Sequence, residues 1–591
     1  MADLWLPSAP ELWLPPGVAG IESSWTVLGK PYCTAEEIFG EAMDSATRYQ
    51  LWGRIPIGHA LSLLSSMLRD LDLQALGIPA IEAGWAAALA DHARTQALAA
   101  IRQGRRLLPP QLLVVAVKEA LRYCPAGASR DDLSDLGLVL QAVWSIGDEV
   151  GHVLDEDAPT WGGLPASLAA EMMANQYFNV TARPLPLIAR TQAMWRDGWG
   201  LSVDPGLVSR AGGTPAELFL EATGCELDAF LGVAIHLWVQ AQEHRYLRFP
   251  PEFFSRIGIA EEAVERFLGA ASASLSELQL YASGQDAVHR PWDFNRLREK
   301  PLVRLPDGSV QVIRLGFVLE RAFGQVPEFD VGQHLRRIDG SGSLAAAGGR
   351  AEAFRFALNT QFEDCVARTL RRIFPATGHF ERVYAEHAMR RAWRTKRHIP
   401  KVCDWAVDCG DVWLCFDATN RRLAQPVAGG FASLTDLDAE VEAVLAGRKA
   451  SQIASTIQHL TTRLPQLTGR NLPAGTRFVP LIVIPDDGLP WNPAVHNRVQ
   501  GLLAAAETLQ SKRAAPLGVI TFEDLGLLER VVEDGQDAGG LLWGWRSQRP
   551  EMPLQHFLNV QGVPLRRPEW EVEAFHRLAD ELTDRITSQG A

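Results

Sequence analysis

The chain has 591 residues, is 47% hydrophobic and 21% charged, and carries a net charge of −13 at pH 7. That length predicts two or three globular domains with ample core, and the charge excludes a generally basic nucleic-acid coat. The chain has no run of eighteen apolar residues, which excludes a helical membrane span, and no charged n-region before an apolar stretch, so a cytoplasmic chain without a signal peptide is expected.

Residues 1–285 read as a mostly helical domain that senses a signal or binds a partner. Apolar residues recur at helical spacing in 60–73, 80–102, 111–123, 133–148 and 216–242. The tryptophans here (Trp52, Trp85, Trp144, Trp195, Trp199, Trp238) are expected mostly in the core, with a stacking platform for bases as the less favoured reading. Asp148, Glu149 and His152 share a helix end, and are read as surface charges in preference to a metal site. The seven cysteines (33, 124, 225, 365, 403, 409, 415) lack a zinc spacing and read as reduced thiols, mostly buried. Strand alternation places Cys403 and Cys415 on opposite faces.

Residues 286–350 read as a bridge: a hairpin turning at Pro306-Asp307-Gly308-Ser309, a helix over 317–323, and a Gly/Ser/Ala-rich link over 340–349. Next, 354–374 reads as an amphipathic helix carrying Glu363 and ending before Pro375. From Arg382 to Lys401 come seven basic residues (Arg382, Arg390, Arg391, Arg394, Lys396, Arg397, Lys401) against one acid, Glu386. Such a run serves either as a solvated face or as a local patch that steers a polyanion.

The segment 404–423 carries the most information. Gly410-Asp411 between apolar runs signals a two-residue hairpin, which pairs Cys409 with Val412 and brings Asp404 opposite Asp417. Opposed residues share a sheet face, with Cβ atoms about 4.5–5.5 Å apart. Two carboxylates that close repel unless a positive charge lies between them, and a divalent metal is the usual one. A solvated hairpin with two surface aspartates is the competing reading. Residues 434–464 then read as two helices, with Lys449 and Gln452 three apart on one face. A buried strand follows at 478–485, then a helix (495–506), an apolar strand (516–521), a helix (523–533) and a helical, polar tail over 536–591.

The order helix with Glu363, hairpin with Asp404 and Asp417-Ala-Thr419, helix with Lys449 and Gln452, buried strand resembles the PD-(D/E)xK, or restriction-endonuclease-like, nuclease superfamily. The resemblance covers about residues 350–490 and implies an α/β nuclease-like domain over 351–535, a mixed central sheet flanked by helices. It carries Asp404 and Asp417 onto the family's acidic positions and Glu363 onto the acid of its first helix, which makes these three the expected ligands of a Mg²⁺ or Mn²⁺ cofactor. Thr419 stands where the family's lysine should be, and a neutral hydroxyl cannot supply that positive charge. Lys449, with Gln452 as helper, is the expected replacement. The segment looks like an Asp-x-Thr variant found among bacterial nuclease-like proteins of anti-phage defence.

Three functions follow. The first is a metal-dependent nuclease that cuts DNA phosphodiesters and holds the backbone through Arg390, Arg391, Arg394, Lys396, Arg397 and Lys401. The second is an inactive nuclease-like subunit that binds DNA beside a second protein. The third is a helical interaction protein with no nucleic-acid role. The superfamily's habit of acting in pairs makes a homodimer a further expectation.

Overall fold

A computed structural model describes residues 33–589, apart from 74–77, 128–132, 151–158, 180–183, 197–198, 200–202, 285–289, 341–348, 377–381, 397 and 487. The chain is mostly helical to about residue 370. A mixed five-stranded sheet with flanking helices follows. Among the described residues no helix is long and apolar enough to cross a membrane.

In the N-terminal half the helices Ile57–Leu73, Pro110–Tyr123 and Leu136–Val150 form close to where their spacing puts them. Two others are broken. The 80–102 stretch is Ile78–Ala87 and Asp91–Arg102, and the 216–242 stretch is Pro215–Thr223 and Leu227–His244. Gly224 makes the second break, closing its helix at φ 70, a left-handed cap that glycine takes without penalty. Trp52, Trp144, Trp195, Trp199 and Trp238 are buried, which leaves them no face for stacked bases.

The surface reading holds for Glu149, which is exposed, and is corrected for Asp148. Asp148 is buried and accepts the backbone N–H groups of Glu36 and Met43 (both 3.3 Å), while Glu149 pairs with Arg48 at 2.9 Å. Asp148 ties the first helix, Ala35–Phe39, to the core, and Glu149 ties down the helix Ser45–Trp52. His152 lies outside the described residues.

The strands are β1 (Thr160–Trp161), β2 (Leu164–Pro165), β3 (Arg248–Phe249), β4 (Ser272–Ser274), β5 (Leu302–Arg304), β6 (Val310–Val312), β7 (Val383–Ala385), β8 (Trp405–Asp408), β9 (Val412–Ala418), β10 (Arg477–Ile484) and β11 (Gly518–Thr521). The hairpin expected within 286–350 is β5–β6. It is built into a four-stranded sheet in the order β3-β6-β5-β4, beside the buried Leu315–Phe323 helix and the Val326–Ile338 helix. The segment is therefore part of the N-terminal body, because its strands find partners at 248–249 and 272–274. Most of the Gly/Ser/Ala-rich link lies outside the described residues.

The second sheet runs β11-β10-β9-β8-β7, with β7–β8–β9 an antiparallel meander and β9, β10 and β11 parallel. All of β9 is buried and only the first residue of β10 is not, as expected of parallel strands covered on both faces. Pro480 sits mid-strand without an N–H. Its missing donor would point toward β11, where the ladder is already interrupted between the Phe478–Ala514 bridge and the Leu481–Gly518 pair. Truncating a central side chain here should be costly. Leu414→Ala is expected to lower stability by about 2–5 kcal/mol, read as a shift of the denaturant midpoint with unchanged slope.

The tail is helical but not simply polar. Helix Ala538–Gln548 buries Leu542, Trp545 and Arg546, and Arg546 donates to the carbonyls of Pro516 (3.1 Å) and Leu517 (2.6 Å) beside β11. The last helix, Glu569–Gln589, reaches back to the N-terminal half through Arg196–Glu581 at 2.9 Å. The two halves also meet at Arg190–Asp486 (3.1 Å), Arg422–Glu328 (2.9 Å) and Trp161 Nε1 to Asp438 (2.8 Å).

Candidate active site

The β8–β9 hairpin turns at Gly410-Asp411. Gly410 has φ 89, the Cys409 N–H donates to the Val412 carbonyl at 2.9 Å, and Trp405 pairs with Phe416. One step outward, this register sets Asp404 against Asp417, as the two-residue turn requires. Asp417 is fully buried at the carboxyl end of β9, and Asp404, just before β8, is half-buried.

Lys449 joins them. It is the second residue of the Arg448–Thr468 helix, which starts afresh after Gly447 and packs over β9 and β10. Its Nζ pairs with Asp417 Oδ1, donates to the Ala418 carbonyl at 2.7 Å and lies 3.8 Å from Asp404 Oδ2. The Ala418 N–H donates to Asp404 Oδ2 at 2.7 Å, so the backbone of one residue links the ammonium to the second carboxylate. Asp417 Oδ2 is buried without a hydrogen-bond donor. A lysine in the first turn of a helix opposes the helix dipole, so these carboxylates are what hold it there.

Two glutamates complete the cluster. Glu363 comes from the middle of helix Arg350–Ile373 and Glu386 from the first turn of helix Glu386–Trp393, whose N–H donates to the Asp404 carbonyl at 2.7 Å. Glu386 also pairs with Arg390 at 2.6 Å. Burial, then the Asp404 carboxylate, pushes Asp417 up to about 8 against the pull of Lys449. Burial, Asp404 and Glu386 push Glu363 up to about 7. The Glu363 side chain is exposed by area, so water moderates that shift, and its upward direction is what the geometry carries. Burial also raises Glu386. Burial works against the Lys449 charge, but Asp417 and Asp404 outweigh it and raise its pKa. Four carboxylates thus surround one lysine, and the excess negative charge holds protons or another cation.

The donor set is all oxygen, the kind suited to Mg²⁺ or Mn²⁺, and the orphaned Asp417 Oδ2 together with Asp404 would be its first ligands. Among the described residues no group of three His, Cys, Asp or Glu side chains closes into a metal cluster. Glu363 belongs to the cluster by charge, not as a third ligand already in place.

Gln452 is not turned to the carboxylates. Its Nε2 donates to the Val402 carbonyl at 3.0 Å, and its Oε1 accepts from Arg448 at 3.2 Å. With Thr456, whose hydroxyl accepts the Cys403 N–H at 2.9 Å, it fixes the chain entering β8. That grip also corrects the cysteine expectation: Cys403 precedes the ladder, escapes its alternation, and its thiol meets Cys415, which together with burial raises its pKa. Thr419, two residues past Asp417, donates its N–H to Val483 at 2.9 Å.

Within the basic run, Arg391, Arg394, Lys396 and Lys401 are exposed and Arg390 is half-buried, while Arg397 lies outside the described residues. Trp393 is buried against His459, so it belongs to the core and not to the patch. Glu386 is the cluster member missed by sequence reasoning. Its signal was an acid at a helix N-terminus beside a short strand, hidden inside a basic run. No protein-family model, curated protein or solved structure matches this chain.

Proposed function

We propose that this chain is a metal-dependent nuclease whose centre is Asp404, Asp417 and Lys449, with Glu363 and Glu386 alongside. The observation that carries the reading is Lys449, which reaches from the following helix onto Asp417 and Asp404. It restores the positive charge that Thr419 cannot supply. The chain order around it, helix, antiparallel meander, helix and parallel strand, supports the PD-(D/E)xK reading. A bound Mg²⁺ or Mn²⁺ would polarise the phosphodiester and lower the pKa of its water. Asp404 and Asp417 would hold that ion. Lys449 faces the negative charge that develops on the phosphoryl oxygens. Glu363, exposed and raised in pKa by burial and the neighbouring carboxylates, is suited to take a proton from the attacking water. The exposed cations of the run ending at Lys401 bind backbone phosphates. Mg²⁺ or Mn²⁺ is thus the proposed cofactor, DNA the proposed substrate, and anti-phage defence the proposed setting.

The test is incubation of the full chain with labelled DNA and RNA, with and without Mn²⁺. Metal-dependent cutting is expected, together with its loss by at least about 10²-fold in Asp404→Ala and in Asp417→Ala. Cutting unchanged in both variants would sink the proposal. A second reading, a nuclease-like binding subunit, draws on the lack of a three-ligand cluster among the described residues. It predicts no cutting but a mobility shift that fades with salt, and that fades sooner in Arg391→Glu/Arg394→Glu.

A further inference from the structure

A cavity of about 900 Å³ opens between the N-terminal half and the loop that leaves β9. Thr419, two residues beyond Asp417 on the same strand line, is part of its wall. So is Asn359, one helical turn before Glu363 on the same helix face. The cavity therefore borders the candidate centre through these two residues, while the carboxylates and Lys449 themselves do not line it.

Its walls have three kinds of chemistry. Phe329, Gly332 and Arg336 stand in one row on helix Val326–Ile338 and all line the space. Phe329 is 44% exposed, so its ring is open to a ligand. Gly332 keeps the helix surface low between the two larger side chains. Arg336 places its Nε on the Gly332 carbonyl of its own helix at 2.9 Å and has no carboxylate partner among the described residues. Asn420 is only 8% exposed, and its side-chain oxygen is buried without a donor. Of the four wall carboxylates, Glu328 is engaged with Arg422 (2.9 Å), Glu352 more loosely with Arg355 (3.9 Å) and Glu299 with Arg296 (3.6 Å), while Asp339 accepts the backbone N–H groups of Arg350 (3.2 Å) and Ala351 (3.1 Å).

We infer that this cavity seats the nucleotides next to the scissile bond of a single nucleic-acid strand. The inference rests on the nuclease reading of the adjoining carboxylates. An aromatic face takes a base by stacking, a guanidinium takes a phosphate, and a buried carboxamide oxygen needs a donor such as a base amino group. The volume is that of a small-molecule site, roughly 300–1,000 Å³. A duplex, whose major groove alone is about 12 Å wide, has no room in it. The substrate class is therefore a single strand, or a strand end released from a duplex.

The test is fluorescence anisotropy with the full chain in EDTA, using 5′-labelled single-stranded DNA and RNA 12-mers and a blunt DNA duplex of the same sequence. Phe329→Ala and Arg336→Glu, both at half-open or exposed positions, are compared with wild type after their thermal unfolding is checked. A single strand, DNA or RNA, is expected to bind at least about 10-fold tighter than the duplex, and each variant to weaken it by about 10-fold. Equal affinity for duplex, or variants that bind like wild type, would overturn the inference. If that happens while Mn²⁺-dependent cutting still requires Asp417, the nuclease reading stands alone. If a strand binds through Phe329 and Arg336 but no form cuts with Mn²⁺, the cavity stands and the nuclease reading falls. No binding and no cutting overturns both.

Discussion

Lys449→Met is expected to lower stability by about 3 kcal/mol at pH 9, where Asp417 is ionised, and to remove metal-dependent cutting. The lysine side chain is 21% exposed and that of Asp417 is not exposed at all, so the pair is largely out of water. Removing one partner of such a pair typically costs about 3–5 kcal/mol, because the other charge is left buried and uncompensated. Against that, the lysine sits at the positive end of a helix dipole, and taking it away returns roughly 0.3–1 kcal/mol. Methionine keeps the stem volume and the helix propensity, so the remainder measures the charge. The check is a double-mutant cycle by denaturant unfolding. Asp417→Asn placed on top of Lys449→Met should recover most of the loss, because no bare carboxylate is then left beside Asp404. A single variant that costs under about 1 kcal/mol, or a double variant whose cost equals the sum of the two, would show that Lys449 is not the counter-charge of this cluster.

The hairpin and its register were legible because two rules act on few residues. A Gly-Asp turn admits one short loop geometry, and a period of two then sets each later pair, out to Asp404 and Asp417. Lys449 was expected only through the resemblance, as the replacement for the lysine that is missing at Thr419. Gln452, three residues on, shows where spacing misleads. Sharing a helix face with Lys449 gives it a direction but not a partner, and the Val402 carbonyl lies closer to hand. Glu386 was hidden for a different reason. It enters the cluster only because β7 pairs with β8, a contact twenty residues and more apart in sequence. In the N-terminal sheet the β5–β6 hairpin was legible from its Pro306-Asp307-Gly308-Ser309 turn, whereas β3 and β4 were missed because two or three residues are too few to display any period. Of the two broken helices, one carried a signal in Gly224. The other breaks over Ala88-Leu89-Ala90, where no glycine or proline marks it.

Asp417→Asn is expected to make the protein more stable at pH 7–8 while abolishing cutting, the combination that separates a functional carboxylate from a structural one. In the unfolded chain Asp417 loses its proton near the ordinary 3.8, whereas in the folded protein it keeps it to about 8. Between those values the folded state binds the extra proton, so its stability falls as pH rises, by up to about 1.4 kcal/mol per pH unit, and levels off above pH 8. Glu363, raised to about 7, adds in the same direction, less strongly because water reaches it. This slope is opposite to that of a carboxylate placed for stability, whose pKa is lowered and whose contribution disappears in acid. Asparagine at 417 removes the larger part of the slope. Denaturant unfolding from pH 4 to pH 9, wild type against Asp417→Asn, reads both effects. A divalent ion must displace the same proton, so Mn²⁺ should raise the melting temperature of wild type more at pH 8 than at pH 5, and should leave Asp417→Asn nearly unchanged. A wild-type stability that rises from pH 4 to pH 8, with Mn²⁺ acting equally on both proteins, would place Asp417 among ordinary buried ion pairs and remove it from the centre.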